Sequence, residues 1–177
     1  MLLNDRCYHC GRISVIERFC LEDEFIPISS HRYDNYWAGP GMYLWNNLSN
    51  AKWWHKTRQD KLDRGICKCI LQVDESELLD LTDSDIANSM QDLISIMEKN
   101  EEISTKDEVG IKISFIAEIM NAKAVKLFGD YPKIKSSPFF NTQDKTKPHV
   151  DITTRVIYCV KEGYSSILKE RELEGVD

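Results

Sequence analysis

Gly39-Pro40-Gly41 hands the chain directly to Met42-Tyr43-Leu44-Trp45, and no other stretch restricts the fold as tightly. Glycine reaches backbone angles closed to other residues and proline fixes φ, so the chain must turn sharply here. The two glycines also keep Cβ atoms away from whatever the turn faces. The four residues that follow read as a short buried strand. Ser49 is then a helix N-cap candidate, and the helix it opens runs to about Arg64, with Gly65 as its C-terminal stop.

The rest of the chain mixes strand and helix periods without regular alternation. Asp5 to His9 reads as a strand ended by Gly11, and Ser14 opens a short helix to about Cys20. Glu22 to Ala38 is loop-like, yet it carries Tyr33, Tyr36 and Trp37, aromatics suited to lining a pocket. Ile66 to Val73 alternates as a half-buried strand, and Leu78 to Leu81 is a short strand or turn. Thr82 or Asp83 caps a helix to about Lys99, with Ile86, Met90, Leu93, Ile94 and Met97 at helical spacing. A second helix starts within Ser104–Asp107 and reaches about Asn121. Ala124 to Phe128 and Val156 to Val160 are strands, the latter the last. Between them Asp130 to Lys147 is a long polar loop, more often functional than idle. Residues 169–177 are charged and read as a frayed tail. This pattern predicts one α+β domain over 1–177, with 74–122 as a helical insertion.

Composition removes several function classes. Hydrophobic residues make up 42% and charged residues 29%, which is ordinary globular usage. No apolar run of membrane-spanning length occurs, and Met1-Leu2-Leu3-Asn4-Asp5-Arg6 lacks the layout of a signal peptide. The expectation is a cytoplasmic protein, or one delivered into a target cell without an N-terminal signal, and no membrane partner. The six cysteines then read as reduced thiols. Cys7-x-x-Cys10 with Cys67-x-Cys69 is the one set with zinc-ligand spacing. Cys67 and Cys69 lie in an apolar strand pattern, where cysteine is commonly a small buried hydrophobe, and no metal is expected. A net charge of -6 argues against a general nucleic-acid coat. Against it, six Lys or Arg fall between Lys52 and Lys68. They form either a solvated helix face or a patch facing phosphates.

Three elements carry a sharper signal: His9-Cys10-Gly11-Arg12, Gly39-x-Gly41-x-Tyr43, and Ser49-Asn50-Ala51 followed by Trp53. Together they resemble the nicotinamide-binding core of the ADP-ribosyltransferase superfamily, in its poly(ADP-ribose) polymerase-like and diphtheria-toxin-like branch. The resemblance implies two small, mainly antiparallel sheets packed face to face, with NAD bound as substrate in the cleft between them. It implies that His9 donates a hydrogen bond to the adenosine-side ribose. The backbone at Cys10 would hold the nicotinamide carboxamide, with Gly11 beside it. Arg12 would face the pyrophosphate, and Tyr43 would stack on the nicotinamide ring. Asn50, or Ser49 beside it, takes the carboxamide-bonding place. Ala51 lets the helix sit close, and Trp53 closes the other side of the ring. Trp54 reads as core filler.

Members of the family usually carry a Glu just before the last core strand, where its charge stabilises the oxocarbenium-like centre. This chain reads His149-Val150-Asp151-Ile152-Thr153-Thr154-Arg155 there. Direct alignment on the strand puts Thr154 or Arg155 at that position, and a bulge would bring in Asp151; Glu162 lies beyond the strand. The expected catalytic set is His9, Tyr43, Asp151 and Arg155. The resemblance then implies an ADP-ribosyltransferase, in the style of a small bacterial or phage toxin or effector. Its acceptor would be a macromolecule, either protein or nucleic acid, with RNA or DNA approached through the Lys52–Lys68 helix. An antitoxin or immunity protein would be a further partner, and residues 74–122 would choose the acceptor. Two alternatives stay open. One is a non-catalytic module binding NAD or ADP-ribose. The other is an RNA 2′-phosphotransferase-like enzyme using His9, Arg12, His31-Arg32 and Arg155.

Overall fold

β1 spans Leu2–Arg12 and pairs along its whole length with β3, Arg64–Asp74, from Leu2↔Asp74 to Arg12↔Arg64. This long antiparallel ladder is the spine of a computed structural model that describes residues 1–58, 63–130 and 154–175. β2 is Met42–Trp45, β4 Leu78–Asp80, β5 Ala124–Asp130, β6 Thr154–Val160 and β7 Leu168–Glu174. Among the described residues the strands hydrogen-bond in one order, β4-β5-β6-β2-β1-β3-β7. Most neighbours are antiparallel; β4 runs parallel to β5. The fold class is therefore α+β, built on one mixed sheet in place of the two separate sheets expected.

Helices cover both faces. α1, Ile13–Leu21, buries Ile16 and Phe19 against Cys7, Met42, Leu44, Cys67, Cys69, Leu71, Tyr158 and Val160. On the other face lie α2 (Leu48–Thr57), α3 (Ser84–Lys99) and α4 (Val109–Ile119), over Cys10, Trp45, Ile66, Val125, Ile157 and Cys159. Strand alternation sorts these residues, since successive side chains point to opposite faces. α3 starts where expected: the Asp83 carboxylate accepts the backbone N–H groups of Asp85 at 2.8 Å and Ile86 at 3.3 Å. α2 is capped by Asn47, not Ser49, through a 2.9 Å bond from the Asn50 N–H to Asn47 Oδ1.

Three boundaries differ from expectation. The helix predicted to reach Arg64 ends at Thr57, and the basic run from Lys52 to Lys68 is divided between α2 and β3. Lys68 faces Glu172 at 3.0 Å and the Arg58 guanidinium lies over Trp54 at 4.3 Å, so these cations do not form one helix face. Residues 169–174, expected as part of a frayed tail, belong to β7 (Leu168–Glu174) on the outer edge of β3. The segment 74–122 contains β4 as well as two helices, so part of it belongs to the sheet.

Candidate functional site

β1 and β2 part beside the residues that the sequence singles out. The two strands share one residue pair, Tyr8↔Trp45. Continuing that register would set Cys10 opposite Tyr43, but the ladder does not extend there. His9 spans the gap instead, with Nδ1 2.9 Å from the Tyr43 carbonyl oxygen. A carbonyl only accepts, so Nδ1 carries the proton and the neutral ring presents Nε2 as an acceptor. Burial lowers the His9 pKa from its ordinary value and holds that neutral form; the bond to Tyr43 acts the other way, and the charge of Arg64 adds to the lowering. In this tautomer Nε2 is the ring's acceptor, whereas the resemblance implies a donor at His9. Gly11 leaves room at that atom, because a Cβ there would stand 3.0 Å from Nε2.

Alternation along β1 sends His9 toward α1 with Cys7, whereas Tyr43 follows Trp45 toward α2. The two rings thus meet through the Tyr43 carbonyl, not on a common face. The Tyr43 phenol is tied back to its own turn. Its hydroxyl donates to the Gly39 carbonyl at 2.6 Å and accepts the Ala38 N–H at 3.2 Å. Burial raises its pKa, so the phenol stays protonated.

The turn itself is clamped. Gly39 has φ +71°, and a Cβ there would lie 2.8 Å from Ser114 Cβ on α4; one at Gly41 would lie 2.4 Å from Cys159 Sγ on β6. What the turn faces is protein: both glycines are needed for close packing against α4 and β6. Lys161 completes the clamp with bonds to the carbonyls of Ala38 and Pro40 and, at 3.2 Å, to Ser114 Oγ. Burial lowers the pKa of this amine. Nothing in the local sequence marks Lys161, because all its partners are remote in the chain.

A second cluster forms on α2. Asn50 is buried, Ser49 is exposed, and Ala51 is sealed in the core. Asn50 Oδ1 accepts from Arg155 Nη1 of β6, and the Arg155 guanidinium lies 4.8 Å above the Trp53 ring. Trp53 meets Trp45 edge-on at 6.2 Å, and Trp54 packs on both. Of the two residues offered by strand alignment, Arg155 shares the face of Ile157 and Cys159 and so reaches α2; Thr154 falls on the alternate face. Asp151 and His149 lie outside the described residues. Arg12 is exposed at the end of the β1–β3 ladder, directly opposite Arg64. The register sets Arg64 beside Arg12, a pairing that the sequence alone does not show. Arg32 lies over Tyr33, beside His31.

The zinc spacing does not hold up in three dimensions. Cys7 is buried on the α1 face and Cys10 on the α2 face, so the two thiols cannot share one ion. Two cavities, about 510 and 430 Å³, lie away from His9, Tyr43 and Trp53. The first sits between the α3–α4 connection and α4, the second beside Cys20 and Arg171. The gap between β1 and β2, unlike either cavity, gathers His9 and the Tyr43 carbonyl in a directed hydrogen bond. No helix among the described residues is long and apolar enough to cross a membrane. No family model, curated protein or solved structure matches the chain.

Proposed function

We propose that the chain is an ADP-ribosyltransferase-like protein that takes NAD where β1 and β2 part, and that it transfers ADP-ribose to a macromolecule. The observation that carries this reading is the His9 Nδ1 contact to the Tyr43 carbonyl across that parting. It joins the two sequence elements that suggested the family. The single Tyr8↔Trp45 pair leaves β4-β5-β6-β2 and β1-β3-β7 as two nearly separate halves. The resemblance implies two sheets packed face to face, whereas these halves lie side by side in one sheet, and NAD is proposed to enter at their junction. On this reading NAD passes through the parting: Nε2 of His9 receives a ribose hydroxyl on the α1 side, while Arg12 and Arg64 face the pyrophosphate and Tyr43 and Trp53 flank the nicotinamide on the α2 side. In the transfer step the C1′–N1 bond breaks and nicotinamide leaves with the electron pair. The acceptor then bonds C1′ and releases its proton.

Arg155 supports a second reading. A guanidinium held on Asn50 and Trp53 puts a cation where the family places an anion. Such a charge opposes an oxocarbenium-like centre. NAD, or an ADP-ribosylated ligand, would then be bound without turnover.

Calorimetric titration of the protein with NAD tests the shared premise. Saturable binding that Tyr43→Ala weakens by about tenfold or more is expected, since the ring platform is lost. Folded protein that binds no NAD at millimolar ligand would remove both readings. Labelled NAD incubated with whole-cell lysate, then split by protease and nuclease treatment, separates transfer from silent binding and identifies the acceptor class.

A further inference from the structure

α4 is apolar on more than its buried side. Ile113, Ile116 and Ala117 face the core, while Ile111, Phe115 and Ile119 form an outward ridge, exposed by 39, 37 and 54%. Spacing of four residues keeps the three on one stripe, about 12 Å long from end to end. A helix apolar on both sides either lies inside a protein or meets a partner. Beside this ridge lies the cavity of about 510 Å³, into which Ile103, Ile111 and Phe115 project together with Glu98, Glu101, Glu102 and Asp107.

The charge of that wall selects the occupant. Lys112 Nζ sits 2.6 Å from Glu98 Oε1 and neutralises it. Glu101, Glu102 and Asp107 enter no ion pair among the described residues. A second copy of this chain docked here about a two-fold axis would bring two such acidic rims together, which is repulsive. Phosphates of a nucleic acid would be repelled likewise. A segment with apolar residues at helical spacing and Lys or Arg along its border matches both the ridge and the rim.

We propose that the outer face of α4 and its adjoining acidic cavity dock a basic amphipathic segment of a partner protein. The proposal does not depend on NAD binding. It puts the surface at the far side of the helix whose inner side, through Gly110 and Ser114, packs on the turn that holds Tyr43.

A short labelled helical peptide of Leu and Lys, with Leu at i, i+4 and i+8, serves as probe, and its Glu-for-Lys counterpart as control. Fluorescence anisotropy should show the Lys peptide binding the full chain, with the Glu peptide failing to bind. Ile119→Glu, at the most exposed ridge position, should weaken binding about tenfold, as should the double reversal Glu101→Lys/Glu102→Lys. Phe115→Glu should do the same, and unchanged thermal unfolding confirms that each variant is folded. Lack of binding by the Lys peptide, or equal binding by wild type and variants, would overturn the proposal. So would a wild-type dimer in sedimentation velocity that Ile119→Glu converts to monomer, because a second copy would then cover the ridge.

Discussion

The two faces of the sheet are built from different chemistry. Beneath α1 the sheet is lined by Cys7, Met42, Leu44, Cys67, Cys69, Leu71 and Val160, nearly all apolar. Burial pushes the Cys7 and Cys67 thiols up and takes Cys69 up to about 12, so these groups are inert small hydrophobes near neutral pH. The main charged group at this side, Arg171, is consumed by structure. Its guanidinium lies 4.4 Å from the Phe19 ring and donates to the carbonyls of Phe19, Glu22, Asp23, Phe25, Ser165 and Leu168. Beneath α2 and α4 the sheet instead retains Tyr43, three tryptophans, buried Asn50, and the cations Arg155 and Lys161. Polar groups inside a protein are costly unless bonded. The α2 and α4 side keeps several such groups beside the parting in the sheet, whereas the α1 side is apolar there except for His9, which bonds across the parting.

Phe19→Ala should break this contrast most severely. It empties a fully buried ring site and removes the platform of Arg171, for a loss of about 3–5 kcal/mol in urea denaturation. NAD affinity of the folded fraction should be unchanged; a parallel loss would mean the two faces are not independent. Gly11→Ala tests the parting itself, from its α1 side, where the new Cβ would also meet Ile16. The added Cβ crowds His9 Nε2 at 3.0 Å, so NAD should bind about tenfold more weakly, an effect of about 1.4 kcal/mol, with little change in melting temperature. Unaltered affinity would remove His9 from the site.

pH dependence should follow His9 next. Its folded pKa lies below the unfolded one, so the unfolded chain takes up the proton first. Stability is therefore full above the ordinary histidine value. It falls as pH drops through that value and levels off below the folded pKa, with a slope of at most about 1.4 kcal/mol per pH unit. Urea midpoints of wild type and His9→Gln, compared at neutral and mildly acidic pH, should converge on acidification; parallel curves would show that His9 is not held neutral. The smallest effect is expected from Asp83→Ala, about 1 kcal/mol through the lost α3 cap, with NAD binding untouched. An affinity change there would extend the functional face to α3.

Much of the local structure is legible in the residues themselves. β2 spans Met42–Trp45 as its apolar run indicates, and β3 covers the alternating stretch from Ile66 to Val73. Asp83 opens α3 and the chain leaves it at Asn100, as the capping pattern requires. These features rest on short-range sterics and on hydrogen bonds a few residues long, which composition records directly. The Gly39-Pro40-Gly41 turn is equally legible, but its reason is not. Only the approach of Ser114 and Cys159 explains why neither glycine can carry a Cβ.

What only the tertiary structure decided concerns partners far apart in the chain. β7 is charged along most of its length, so its pattern reads as a tail; its order comes from backbone pairing with β3 and from Arg171. That Arg155 and not Thr154 reaches α2 depends on which face of β6 turns toward that helix. The pairing of Arg12 with Arg64 depends on the register of β1 and β3. Lys161 and Asn50 gain their roles from residues contributed by other elements. Periodicity can say that a side chain faces one side of a strand. It cannot say which strand lies alongside or where two strands part, because those choices are made by long-range pairing and burial summed over the whole sheet.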